Sequence, residues 1–130
     1  MTYKIYSEKK LLKMDDQRTN ISVSLNGTRE TLEFIEHIIP FIKTKFPLRF
    51  NIQKARTGSA DVLIETELDS QSHYGTNILI KNGFGFNYSG EGSRGLVEML
   101  KKFDIPESET EQLISQHNDS LENKRLIIEI

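Results

Sequence analysis

Residues 76–95 read TNILIKNGFGFNYSGEGSRG, and the path of the chain through Asn82-Gly83 decides both the strand count and the place where a ligand could sit. Asn-Gly between two β-rich runs is a strong short-range hairpin signal, because both residues tolerate the positive φ of a type I′ turn. A two-residue turn there would pair Lys81 with Phe84, Leu79 with Phe86 and Asn77 with Tyr88. Those six side chains would then share one face of the sheet. Three aromatics on one face predict either core or a platform on which a ring stacks.

Outward from the hairpin, the rest of the chain alternates in the same way. NISVSL at 20–25 sets Ile21, Val23 and Leu25 against two serines, and LRFNIQK at 48–54 sets Leu48, Phe50 and Ile52 against Arg49, Asn51 and Gln53. Both have the period of a strand with one buried face. ADVLIETEL at 60–68 and RLIIEI at 125–130 read as strands, and Tyr3 to Tyr6 as a short one, with Ser7 capping a brief basic helix through Met14. Leu32, Ile35, Ile38, Ile39, Ile42 and Phe46 recur at three- and four-residue steps, which predicts a long helix kinked or restarted at Pro40. Leu96, Met99, Leu100 and Phe103 predict a second helix, and IPESETEQLISQH a third, acidic one. The expected fold is therefore a single α+β domain over 1–130. It has a largely antiparallel sheet with a central Asn-Gly hairpin, one long kinked helix and two C-terminal helices packed on it.

Composition narrows the function. The net charge of −2 supplies no global field toward nucleic acid or an anionic membrane. No apolar run approaches spanning length, and the N-terminus lacks the apolar core of a signal peptide, so a cytoplasmic location is the expectation. Absent cysteine excludes disulfides, thiolate zinc sites and a cysteine nucleophile. Charge is unevenly spread: five basic residues and no carboxylate lie between His37 and Ala60, whereas seven acidic residues and two lysines lie between Glu98 and Glu122. His37, His73 and His117 fall in different elements, so no metal-ligating or catalytic set is evident, no cofactor is implied and enzyme action ranks last.

The segment GFGF at Gly83–Phe86 resembles the core of the RNP1 element of RNA-recognition motifs. It departs from that pattern at Asn82, Asn87 and Tyr88. Gly90-Glu91-Gly92-Ser93-Arg94-Gly95 matches G-x-G-x-x-G between a strand and a helix, the context of a dinucleotide fingerprint. A Rossmann unit would need a parallel strand next, and Asp104-Ile105-Pro106 starts a helix instead. The local chemistry stands without either family. Glycines permit close approach, a helix start presents unpaired N–H groups, and Arg94 adds a fork of donors.

The leading expectation is accordingly a small non-enzymatic binding protein for a phosphate-bearing, nucleotide-like ligand. Gly90, Gly92, Ser93 (also the helix N-cap), Arg94 and Gly95 would hold the anion, Phe84, Phe86 or Tyr88 would stack on the ring, and Arg56 would assist. The alternative is a protein-interaction module, such as an inhibitor, an immunity-type protein or a small homo-oligomer, acting through a sheet edge or the acidic helix around Glu107–Gln116.

Overall fold

A computed structural model describes residues 3–13, 20–25, 27–54, 59–68, 76–85, 91–111 and 125–130. Six strands and two longer helices follow one another as β1 (Lys4–Glu8), β2 (Ile21–Ser24), α1 (Thr28–Ile42), β3 (Arg49–Lys54), β4 (Ser59–Glu65), β5 (Asn77–Gly85), α2 (Glu91–Lys101) and β6 (Arg125–Glu129). A further helical segment covers 107–111. The strands form one sheet in the order β1-β6-β3-β4-β5-β2. Every neighbouring pair is antiparallel except β2 with β5, so the α+β class with a mostly antiparallel sheet is observed.

The Asn82-Gly83 hairpin is not formed. β5 runs unbroken from Asn77 to Gly85 along β4, with a register irregularity where Val62 pairs with Ile80 and Ala60 with Phe84. Gly83 lacks the left-handed φ of a type I′ turn, and the reason for its glycine is space. A Cβ built there would lie 2.5 Å from Thr31 Oγ1 and 2.6 Å from Thr31 Cγ2. Helix α1 thus crosses β5 at a distance only glycine permits. The extra residues are absorbed as a bulge, which lets one strand lengthen without reversing. The expected partners of Lys81, Leu79 and Asn77 change accordingly: Leu79 faces Leu63, and Asn77 faces Glu65.

Strand parity explains the core. Phe50, Ile52, Val62, Ile64, Ile78, Ile80, Phe84, Leu126 and Ile128 point to one face and meet Ile35 and Ile42 of α1, Leu96, Met99 and Leu100 of α2, and Phe103 in the turn after it. Burying each such side chain stabilises the fold by roughly 1.5–3 kcal/mol. Phe50 and Phe103 touch edge to face, with centroids 4.9 Å apart and planes at 64°. Leu63, Leu79 and Ile127 are buried on the opposite face. On that second face these apolar residues alternate with buried polar ones, Asn51, Gln53 and Arg125.

Two further expectations change. Helix α1 continues through Pro40 and ends at Ile42, where Lys43 N–H donates to Ile39 O and Thr44 N–H to Phe41 O. Proline removes only its own N–H bond to the carbonyl four residues back, and the bonds past it, such as Lys43 N–H to Ile39 O, are kept. Phe46, counted with the helix in sequence, precedes a cis peptide to Pro47. The basic helix after Ser7 is replaced by strand to Glu8 and irregular chain over 9–13. Helix α2 closes on Asp104 at φ 64°, with Asp104 N–H donating to Lys101 O and Ile105 N–H to Leu100 O. That left-handed cap buries Ile105 beside Leu100 and starts the 107–111 segment.

Candidate functional site

The predicted ligand loop divides between packing and surface. Arg56, Phe86, Tyr88 and Gly90 lie outside the described residues, as do His73 and His117. Helix α2 begins at Glu91, so Ser93 is its third residue rather than its N-cap, and Gly92 through Gly95 are already helical. Gly95 is buried, and a Cβ there would run into Thr28 Cγ2 and lie 2.9 Å from Phe84 Cδ1. Phe84 is only 3% exposed and belongs to the core. The stacking role expected of Phe84 is therefore withdrawn: its parity turns it under the helices, whereas a stacking strand needs its aromatics on the other face. Arg94 alone among the expected anion-holding side chains is described as exposed.

A different constellation occupies the face turned away from α1 and α2. Successive register partners set Lys4, Glu129, Arg49 and Glu65 in one row across β1, β6, β3 and β4. The signs alternate at every strand. Arg49 is 3.2 Å from Glu129 and 3.5 Å from Glu65, and Tyr6 OH donates to Glu129 Oε1. That hydrogen bond, together with Arg49, holds the Glu129 carboxyl below the usual glutamate range against the effect of burial. The same bond raises the Tyr6 phenol, with burial acting in the same direction.

Four residues along the strands from the Lys4–Glu129 pair, Glu8 faces Arg125 on β6, at 3.1 Å. The Arg125 guanidinium is mostly buried and donates through Nη1 to Asn51 Oδ1 at 2.8 Å, while its Nε has no acceptor among the described residues. Asn51, fully buried, donates in turn to Glu65 Oε1 at 2.7 Å and to Leu63 O. Gln53 clamps the backbone of Leu12, accepting from its N–H at 3.0 Å and donating to its carbonyl at 2.8 Å. Leu12 is thereby held against this face. Strand parity alone marks Arg49, Asn51 and Gln53 as one polar face. Their partners on β1, β4 and β6 follow only from the strand order.

The row ends at the edge of the sheet. Among the described residues β1 pairs with β6 alone, and Lys4, Ser7 and Glu8 are exposed. Lys4 Nζ sits 5.3 Å above the Tyr6 ring and makes no ion pair among the described residues. Beside it, Tyr3, Lys4, Pro47, Leu48, Leu68, Glu129 and Ile130 line a shallow groove of about 280 Å³.

No set of three or more His, Asp or Glu groups able to hold a metal exists among the described residues, and His37 is exposed on α1. No helix among the described residues is long and apolar enough to cross a membrane. Comparison with known proteins finds no matching family model, no similar curated protein and no similar solved structure.

Proposed function

We propose that this chain is a protein-interaction module whose binding surface is the β1 edge of its sheet. The single observation behind this reading is the strand Lys4–Glu8, paired on one side only among the described residues and flanked by the groove at Tyr3, Leu48 and Leu68. An edge strand presents a row of unsatisfied N–H and C=O groups, and an incoming extended segment satisfies them while its side chains occupy neighbouring pockets. The polar network behind β1 supports such a use. Tyr6 and Glu8 are tied to Glu129 and Arg125, so the strand is held in place before a partner arrives.

Arrayed ten-residue peptides, probed with the wild-type chain and with Ser7→Pro, test the reading. Proline removes a donor and sets a ring on the edge. Peptides bound by wild type and lost by Ser7→Pro, with hydrogen-exchange protection confined to residues 4–8, are the expected result. Protection elsewhere, or binding indifferent to Ser7→Pro, overturns it.

The anion reading remains a second proposal, favoured by exposed Arg94 in the first turns of α2. A rise in melting temperature with inorganic phosphate or AMP that Arg94→Ala abolishes would support it. No shift with either ligand would end it.

A further inference from the structure

We infer that the partner of the β1 edge is a second copy of the same chain, docked antiparallel about a two-fold axis at Tyr6. This rests on the edge reading above and names its occupant. The segment Lys4-Ile5-Tyr6-Ser7-Glu8 is complementary to itself when reversed. Centred on Tyr6, the pairing sets Lys4 opposite Glu8 of the second copy, Ile5 opposite Ser7, and Tyr6 opposite Tyr6. A symmetric interface repeats each contact twice, so both Lys-Glu pairs form.

The wider sheet makes the match longer than five residues. In each copy one row runs Glu65, Arg49, Glu129, Lys4, with signs minus, plus, minus, plus. Antiparallel pairing sets the next member of that row as Glu8 of the second copy, followed by its register partner Arg125. The alternation therefore crosses the junction without a break: Lys4 comes to lie between Glu129 of its own chain and Glu8 of the other. Directly opposed unlike charges stabilise a strand pair and like charges oppose it.

Both groups are available for this. Lys4 is exposed without an ion pair among the described residues, and the Glu8 side chain keeps 49% of its surface exposed while bonded to Arg125. The opposite edge offers no such match. β2, Ile-Ser-Val-Ser over 21–24, carries no charge to direct a register. Joining two β1 strands adds about four to six backbone hydrogen bonds. It also covers less surface than the roughly 1,200–2,000 Å² of a standard stable interface. The association is consequently weak, concentration-dependent and weakened by salt.

Charge exchange in trans tests this directly. Sedimentation of the wild-type chain across a wide concentration range is expected to follow a monomer–dimer equilibrium. Lys4→Glu sets two carboxylates opposite each other at both pairs, and Glu8→Lys sets two ammonium groups there, so each variant alone loses association by at least about tenfold. Mixing them restores it, because every opposed pair in the mixed dimer is again unlike. A folding defect would not be repaired by mixing, and circular dichroism of each variant checks the fold independently. The chain has no cysteine, so Tyr6→Cys offers a trap at the dyad that oxidises to a covalent dimer, whereas Ser22→Cys on the far edge does not.

A monomer at every concentration, a mixture that fails to associate, or equal cross-linking at positions 6 and 22 each overturn self-pairing. If the chain stays monomeric yet peptides still protect residues 4–8, self-pairing falls while the edge reading stands. If neither binds there, both fall.

Discussion

Substitution of Gly83 by alanine separates the observed strand from the expected hairpin. The added methyl would sit 2.5 Å from Thr31 Oγ1, 2.6 Å from Thr31 Cγ2 and 3.0 Å from Thr31 Cβ, where ordinary contact begins near 3.4 Å. Relief demands a shift of nearly an ångström. Thr31 cannot rotate away cheaply: its χ1 is restricted in a helix, and Oγ1 donates to Gly27 O at 2.7 Å. Nor can α1 lift freely, since Ile35 and Ile42 on the same helix are completely buried. Overpacking of this kind costs about 1–3 kcal/mol, against roughly 0.5–1 kcal/mol returned by the stiffer unfolded chain. A net loss of about 1–2 kcal/mol is expected.

Thr31→Ala removes both offending atoms and leaves only Cβ at 3.0 Å. In that background Gly83→Ala should therefore cost little or nothing. Urea denaturation of the four chains in the cycle measures the coupling, expected at about 1–2 kcal/mol, a size typical of residues in contact. At a type I′ turn, alanine would instead meet backbone strain that is blind to Thr31. Additivity within about 0.5 kcal/mol would refute the packing argument.

Other consequences follow from the same geometry. Gly95→Ala should destabilise by about 1–2 kcal/mol in thermal or urea melts, although alanine in a helix ordinarily gains up to about 1 kcal/mol over glycine, because its Cβ meets Thr28 and Phe84. Asp104→Gly should raise stability by roughly 0.5–1 kcal/mol, since Asp104 holds φ 64° at the end of α2 where glycine carries no steric penalty. Glu129 titrates lower when folded than its ordinary 4.5, so it contributes stability that is present above that pH and is lost as pH falls through the folded value. Glu129→Gln should flatten the acid limb of stability below about pH 4.5. Tyr6 titrates above its ordinary 10.0 when folded, so its contribution is complete below pH 10 and is lost as pH rises further; Tyr6→Phe should flatten that alkaline limb.

The sequence by itself determined which residues form strands and helices wherever period and burial agree. Ile21 and Val23, Phe50 and Ile52, and Leu96 with Met99 and Leu100 lie on the faces their spacing assigns, because a side chain's face depends on local backbone geometry alone. It also marked Arg49, Asn51 and Gln53 as one polar face. Asn82-Gly83 shows where local reading ends: its turn propensity is real, but contact between Thr31 and β5 selects a different conformation for the same two residues.

The alternating row from Lys4 to Glu65 depends on β6, the last strand in sequence, inserting between β1 and β3. Its members stand up to 125 positions apart in the register, as Lys4 and Glu129 do. Strand order and register are long-range choices made by burial of the whole apolar face at once. Tertiary structure alone therefore decided that Phe84 is core, that Gly95 is a packing contact, and that Lys4–Glu8 lies at the edge of the sheet as the end of that charged row.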